Sequence, residues 1–494
     1  MNTITRKYGW IIVLGGLTLA GCDNYLNENP DNRVDLNTTE KAAQLLTNAY
    51  SSSGYLFTEW MSDNVRYTTG TTRLVEHNQA YNWEDVISTN QDTPTDYWMS
   101  TYDAVAHANE VLSAIDGLEG DKAHKDAVRG EAYLTRAYGH FMLVNIFAKH
   151  YNAQTASSDP GIPYVTTPET IFIKRYDRNT VKEVYDMMED DILDGLRYVD
   201  GSFYANTGKY HFTRNAALAF ASRFYLYKGE FDKCIKYSSD MLGADPSVYM
   251  KDIRTLLAET PNSLDFLHVY GSPEDKSNLL LARNVTNFPV NVGYWPSPRL
   301  IQDLYAFNPW GGFRDVRISG KYPIFQRGTG VTLAKYEFLF ERSSLSSNVG
   351  LNYTIVPLFR GEEVLLNRAE SYARLDITKG GSLTNALKDL QVLINYRYYV
   401  EDTGETPTAT LAQFRSLYGT NDSQSGLMQF IMHEREREFM HEGLRWFDLK
   451  RNNLVVKHDL ADGSIITLEA DDKRRAIQIP QTAIDVGGLE PNPR

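Results

Sequence analysis

Three things are scarce in this 494-residue chain, and each scarcity excludes a class of protein. Cysteine occurs only at Cys22 and Cys234, too few for a disulfide framework. Positive charge is in deficit: 50 Lys and Arg against 63 Asp and Glu give a net charge of −13 at pH 7. A body of that sign repels phosphate backbones, so nucleic acid is not an expected partner. Apolar runs of spanning length are missing; the longest, "YGWIIVLGGLTLA" at residues 8–20, is short and glycine-rich for a bilayer helix. Gly/Ser-rich and Pro-rich linkers and low-complexity tracts are absent too, so composition alone marks no cut within the body.

What is present begins at the N-terminus. Arg6 and Lys7 form a positive n-region, residues 8–20 an apolar h-region, and "LAGC" places two small residues directly before Cys22. That order is what a lipoprotein signal peptidase needs; an ordinary secretory signal followed by a chance cysteine is the alternative. The pattern predicts a signal peptide over 1–21, lipid attachment at Cys22, and a polar stalk over 22–37. Cleavage removes Arg6 and Lys7 and no acid, which takes the net charge from −13 to −15.

Beyond the stalk, long segments show apolar residues at three- and four-residue spacing: 96–116, 127–147 and 180–199. "AALAFASRFYLYKGEFDKCIKYSSDMLGADP" fits a 34-residue tetratricopeptide frame. Tyr225 takes the aromatic position of the first helix, Gly229 the turn, Phe231 the start of the second, Cys234 its small packing position and Pro246 the closing proline. Cys234 therefore reads as a buried packing residue rather than a reactive thiol. A second hairpin is expected over 367–397, with a longer glycine-bearing turn. The fold class predicted is mainly α: a tetratricopeptide-like helical-hairpin scaffold with a long irregular, loop-rich region. Its divisions are 38–250 and 251–494, with the irregular segment at 251–355, rich in Pro, Gly, Asn and aromatics and helical only near "SPRLIQDLYAF".

The stretch "HEREREFMHEGLRWFDLKR", residues 433–451, poses the sharpest question. On a helical wheel Glu434 and Glu438 fall within about 40° of Leu427 on the apolar face, and Arg445 returns to that face if the helix survives Gly443. His433 and His441 lie about 80° apart, and the His-Glu-x-x-His spacing is absent, so a zinc site is not expected. Two carboxylates one turn apart could serve glycoside hydrolysis. A catalytic acid, however, needs a raised pKa, and adjacent guanidiniums lower it. The stretch is read as a structural ion-pair helix with no catalytic residue.

"EREREFMHEGLRWFDLKR" also resembles the C-terminal signature of the SusD/RagB family of surface lipoproteins. Four further stretches resemble the family in order: "YDAVAHANEVLSAID", "RGEAYLTRAYGHFMLVNIF" with "GIPYV" after it, "VPLFRGEEVLLNRAESYARL", and "AIQIPQTAIDVGGLEPNPR". One departure is Ala483-Ile484, where many members carry an acid. The resemblance implies a non-enzymatic, cofactor-free lipoprotein on the outside of an outer membrane. It would cap a SusC-type TonB-dependent transporter as a hinged lid and hand over a glycan or, alternatively, a peptide. A surface hydrolase is the competing reading of another class.

For ligand contacts, Trp83, Trp295 and Trp310 stand in irregular polar sequence beside Tyr81, Tyr294 and Asn308, and flat rings on loops can stack on sugar faces. Loop anchoring is the equally weighted alternative for each. Asp63, Asn64 and Arg73, with Ser62 and Arg66, could add polar contacts. Trp98 and Trp446 are expected in the core, Trp60 is ambiguous, and Pro298, Asp303 and Arg317 are structural marks.

Overall fold

The computed structural model describes residues 36–171, 174–204, 207–290 and 292–494. The signal peptide 1–21, Cys22 and nearly all of the 22–37 stalk lie outside the described residues.

Helices come first along the chain: α1 (Thr39–Leu46), α2 (Phe57–Trp60), α3 (Val75–Tyr81), α4 (Pro94–Ala114), α5 (Lys122–Phe147), α6 (Val181–Tyr198), α7 (Arg214–Lys228) and α8 (Phe231–Leu242). Their starts are written locally. Thr38, Thr93, Asp121, Thr180 and Thr213 each accept a backbone N–H of the first turn, and Thr180 with Glu183 completes a capping box. The α7–α8 hairpin turns at Gly229, whose left-handed φ of 78° ends α7, and it buries Tyr225 and Cys234. Burial pushes the Cys234 thiol up, so the group is a packing residue in fact as in sequence.

After α9 (Ile253–Glu259) and α10 (Ser263–Tyr270) come the strands: β1 (Asn278–Val285), then α11 (Pro298–Ala306), β2 (Arg314–Asp315), β3 (Ile324–Arg327), β4 (Gly330–Leu333), β5 (Phe338–Arg342) and β6 (Gly350–Arg360). Strand β6 lies between β1 and β5 in an antiparallel sheet, and β3–β4 is a hairpin. The segment 251–355 is thus largely built from short elements, where sequence reading expected irregular chain. The reason is physical: β1 and β4 are buried over nearly every residue, which erases the alternation that marks a half-exposed strand.

The chain closes with α12 (Gly361–Arg374), α13 (Leu383–Arg397), β7 (Tyr398–Tyr399), α14 (Leu411–Tyr418), α15 (Ser423–Glu438), α16 (Leu444–Arg451), the hairpin β8 (Val456–Asp459)–β9 (Ile465–Leu468) and α17 (Gln481–Asp485). Helices α12 and α13 form the second expected hairpin. One large core runs from Tyr55 to Leu489 and draws on both expected regions, 38–250 and 251–494.

The signature helix does not survive Gly443. It ends at Glu438, His441 and Gly443 both take φ near +71°, and α16 starts afresh at Leu444. Its carboxylates are buried and paired. Glu438 accepts from three guanidiniums, those of Arg317 (3.0 Å), Arg360 (3.0 Å) and Arg397 (2.8 and 2.9 Å). Glu434 accepts from Arg317 (3.0 Å) and Arg437 (2.7 Å). Asp315, Glu362 and Glu442 on one side, and Lys335 on the other, extend this to five acids joined to five cations. Burial opposes these charges, but the arginines hold Glu434 below its ordinary range and Glu438 well below it. Neither acid can hold a proton for catalysis at neutral pH.

Candidate ligand-binding site

The stretch that carries Asp63, Arg73, Tyr81 and Trp83 meets, in space, the part of the 251–355 segment that carries Tyr294 and Trp295. The Arg66 N–H donates to the Trp295 carbonyl (3.1 Å), the Gly293 N–H to that of Thr72 (2.8 Å), and Thr71 Oγ1 to that of Gly293 (3.1 Å). Gly293 is required here: its φ is +75°, and a Cβ would lie 2.5 Å from the Trp60 ring.

At this junction side chains from three distant parts of the chain form one stacked column. Trp83 lies on His458 (centroids 4.4 Å, planes 22° apart), and His458 on Tyr81 (4.1 Å, 14°). Tyr81 lies on Tyr294 (3.7 Å, 6°). The Arg73 guanidinium caps Tyr294 at 4.4 Å and reaches the half-buried Tyr67 at 4.7 Å. Hydrogen bonds fix the rings in place. Trp83 Nε1 donates to the Met61 carbonyl (2.9 Å), Tyr81 Oη to the Asp459 carbonyl (2.8 Å), and Tyr294 Oη to Asn78 Oδ1 (2.7 Å). Both His458 nitrogens face carbonyl oxygens, Tyr81 at 2.6 Å and Ser62 at 2.7 Å, and an imidazolium satisfies both. Burial works the other way and lowers the pKa of this ring. Burial, with Asp459 and Tyr294 next to it, pushes the Tyr81 phenol up, so it stays a donor.

The column brings together four of the residues chosen from sequence: Trp83, Tyr81, Tyr294 and Arg73. It also encloses most of them. Trp83 is 2% exposed, Trp295 1% and Trp310 6%, so none of the three indoles offers a ring face to solvent. Trp295 packs against Phe288 (5.1 Å), and Trp310, though on the loop after α11, has its ring wedged between Tyr398 (5.0 Å) and Phe430 (5.6 Å). The reason is that Trp310 stands just past α11, on the side where α15 supplies an aromatic wall. Asp63 takes both nitrogens of a bidentate Arg445 at 2.8 Å, and although burial opposes the charge, that guanidinium keeps its carboxyl below the usual range. This is also where Arg445 went when the signature helix broke. Asn64 is buried against Glu59 (2.9 Å), and Asn308 caps its own turn by accepting the Trp310 N–H (2.9 Å). Trp60, Trp98 and Trp446 are all core.

The surface end of the column is Arg73, Tyr67, Arg66 and the exposed Asn78, with the backbone of Thr69 and Gly70 beside them. Sequence reading missed Tyr67, His458 and Asp459. The last two sit on β8, almost 400 residues from Tyr67 along the chain, and no spacing rule links such positions. Among the described residues, no three His, Cys, Asp or Glu side chains are grouped so as to hold a metal ion. Among the same residues, no helix is long and apolar enough to cross a membrane.

Comparison with known proteins agrees with this architecture. A family profile described as "Starch-binding associating with outer membrane" (SusD-like) matches residues 24–226, and the SusD family profile matches 326–484. The SusD-like protein P38 of Formosa agariphila is 21% identical, with 91% of each chain covered. A SusD-like carbohydrate-binding protein from Bacteroides vulgatus superposes with a TM-score of 0.66 at 18% identity, over 92% of this chain and 97% of its own. A laminarin-binding SusD-like protein does so at 0.62 and 17%, over 92% and 99%. With the signature residues buried as one network and both halves matched in order, the chain is a member of the SusD/RagB family.

Proposed function

We propose that this chain is a non-catalytic receptor that holds a glycan outside the outer membrane. It would be tethered through Cys22 and act as the lid of a SusC-type TonB-dependent transporter. The observation that carries the reading is the ring column: a rigid aromatic stack, locked by its own hydrogen bonds, that ends at the surface in a guanidinium and a half-buried tyrosine. Such an end offers a flat face for sugar C–H groups and several fixed donors for hydroxyls, pre-organised so that little ordering entropy is lost on binding. The laminarin-binding relative and the starch-binding description of the matching profile support a saccharide as ligand. Proton transfer has no support at Glu434 and Glu438, which are buried, held below the ordinary carboxylate range and saturated with donors. The stalk 22–37 would let the body rock over a barrel while staying local to it.

The test is affinity electrophoresis and calorimetry with laminarin, starch and other polysaccharides, using the wild type, Tyr67→Ala and Arg73→Ala. Tenfold or greater weakening in both variants with unchanged melting is expected. Capture of oligopeptides with indifference to every polysaccharide would replace the ligand class. Release of reducing sugar by purified protein would overturn the receptor reading.

A further inference from the structure

Away from the column lies a cleft of about 690 Å³ that shares no lining residue with it. One wall is a face of α4, where Ser100, Asp103 and His107 follow each other at helical spacing. The 47–52 strap, which touches α4 at Ser100, Arg283 of β1, Tyr353 of β6 and Tyr210 line the rest. The volume falls in the range of small-ligand sites, about 300–1,000 Å³.

The chemistry of the walls is that of a polyol receptor. Ser100 Oγ lies 2.9 Å from Ser52 Oγ and 3.1 Å from Ser51 Oγ, and it accepts the Ser52 N–H at 3.0 Å. The Ser51 and Ser52 hydroxyls both meet Ser100 Oγ, and such rotors can turn to donate or accept, which matches adjacent sugar hydroxyls. His107 Nδ1 lies 2.8 Å from the Asp103 carbonyl oxygen, so it carries the proton there and leaves Nε2 an open acceptor in the neutral ring. Asp103, 74% exposed by side chain, lines the cleft and adds an acidic group to it.

Charge selects the class of sugar. Arg283 is the one Lys or Arg among the described lining residues; it lies 3.6 Å over the Tyr353 ring and is paired with Glu341. An acidic polymer would meet Asp103 without a free cation to answer it. Behind the Tyr50, Ser51 and Ala282 wall is a further void of about 20 Å³, enough for one water. Tyr55, 3% exposed, lines that void, and among the described residues its hydroxyl has no partner. A buried donor left open beneath a hydroxyl-lined cleft is a second, independent sign of a polar ligand or its water.

We infer that this cleft is a second carbohydrate site, separate from the column and selective for uncharged saccharides. The inference rests on the glycan-receptor reading. It is tested on the lipidated full chain in detergent, with malto-, cello-, xylo- and mannohexaose and an oligogalacturonate as probes, by calorimetry and amide hydrogen exchange. Ser52→Trp fills the cleft from an exposed position. Asp103→Ala with His107→Ala removes polar contacts from a solvent-facing helix side and guards against misfolding of the first variant.

A neutral hexaose is expected to protect amides around 100–107 and 281–283. Both cleft variants should weaken that event at least tenfold, and Tyr67→Ala should leave it in place. Neutral saccharide binding lost in Tyr67→Ala but untouched by both cleft variants overturns the second site and leaves the receptor standing. Preference of the cleft for the galacturonate overturns its selectivity. If no saccharide binds the wild type anywhere, both readings fail.

Discussion

Replacing Glu438 by glutamine keeps the shape of the side chain and removes one charge from the centre of the buried network. The wild-type carboxylate receives four hydrogen bonds of 2.8–3.0 Å from Arg317, Arg360 and Arg397. The amide keeps one acceptor oxygen and turns an NH₂ toward guanidiniums that have nothing to accept it. Four acids are then left against five cations in a site closed to water. Breaking a buried ion pair from one side costs about 3–5 kcal/mol, because the remaining charge is stranded. Against a total stability of roughly 5–15 kcal/mol, that is about a fifth or more. Urea unfolding followed by circular dichroism should show a lower midpoint with an unchanged slope.

The pH dependence carries a sign. Burial raises the Glu438 pKa, but Arg397 and Arg360 outweigh it and depress the folded-state value well below 4.5. The network's contribution is therefore complete above about pH 4.5 and is lost as the pH falls through the folded-state value. The gap between wild type and Glu438→Gln should be constant from pH 7 to 5 and close on further acidification. A gap under about 1 kcal/mol at pH 7, or one that widens toward pH 3, would refute the reasoning. Asp240→Asn, which breaks an exposed pair with Lys236, is the control and should change stability by about 0.5 kcal/mol or less.

Other expectations follow from the same geometry. Gly443→Ala should destabilise the fold by about 1–3 kcal/mol in thermal melts, since its φ is +71° and a Cβ would meet Thr58 Oγ1 at 2.7 Å. Cys234, buried and with its thiol pushed up, should resist iodoacetamide in the native protein and react after denaturation; fast native labelling would contradict the packing role. Tyr294→Leu should loosen the column, lowering glycan affinity about tenfold while Arg73 loses its stacking partner, read by calorimetry. Cys22→Ser should move the protein from the membrane to the soluble fraction on cell fractionation, and persistence in the membrane would count against the lipid tether.

The long helices were legible because they carry their own punctuation: a Thr or Asp cap, an apolar stripe and, at Gly229, a stop. The buried role of Glu434 and Glu438 was legible as well, since two acids on an apolar face must be paired. Which cations pair with them was only partly so. Arg437 is a near neighbour, but Arg317, Arg360 and Arg397 come from other elements. The strands within 251–355 left no mark because burial of both faces removes alternation. The indoles misled for a related reason: polar neighbours in sequence do not say where a large ring points, and Trp310 points into the core. The serine cleft was invisible, as its walls are Ser51, Ser100 and Arg283, scattered over more than 200 positions.

The shared ionic lattice has a practical consequence for anyone dissecting this polypeptide. Buried charges are also paired across the length of the chain: Arg223 donates to Glu363 and Arg445 to Asp63, and Glu59 near the start takes backbone N–H groups from His441 and Gly443 near the end. An expression fragment cut at residue 250 would expose orphaned acids and cations at once, so deletion mapping should yield insoluble pieces, and ligand contacts are better assigned by point changes in the intact protein.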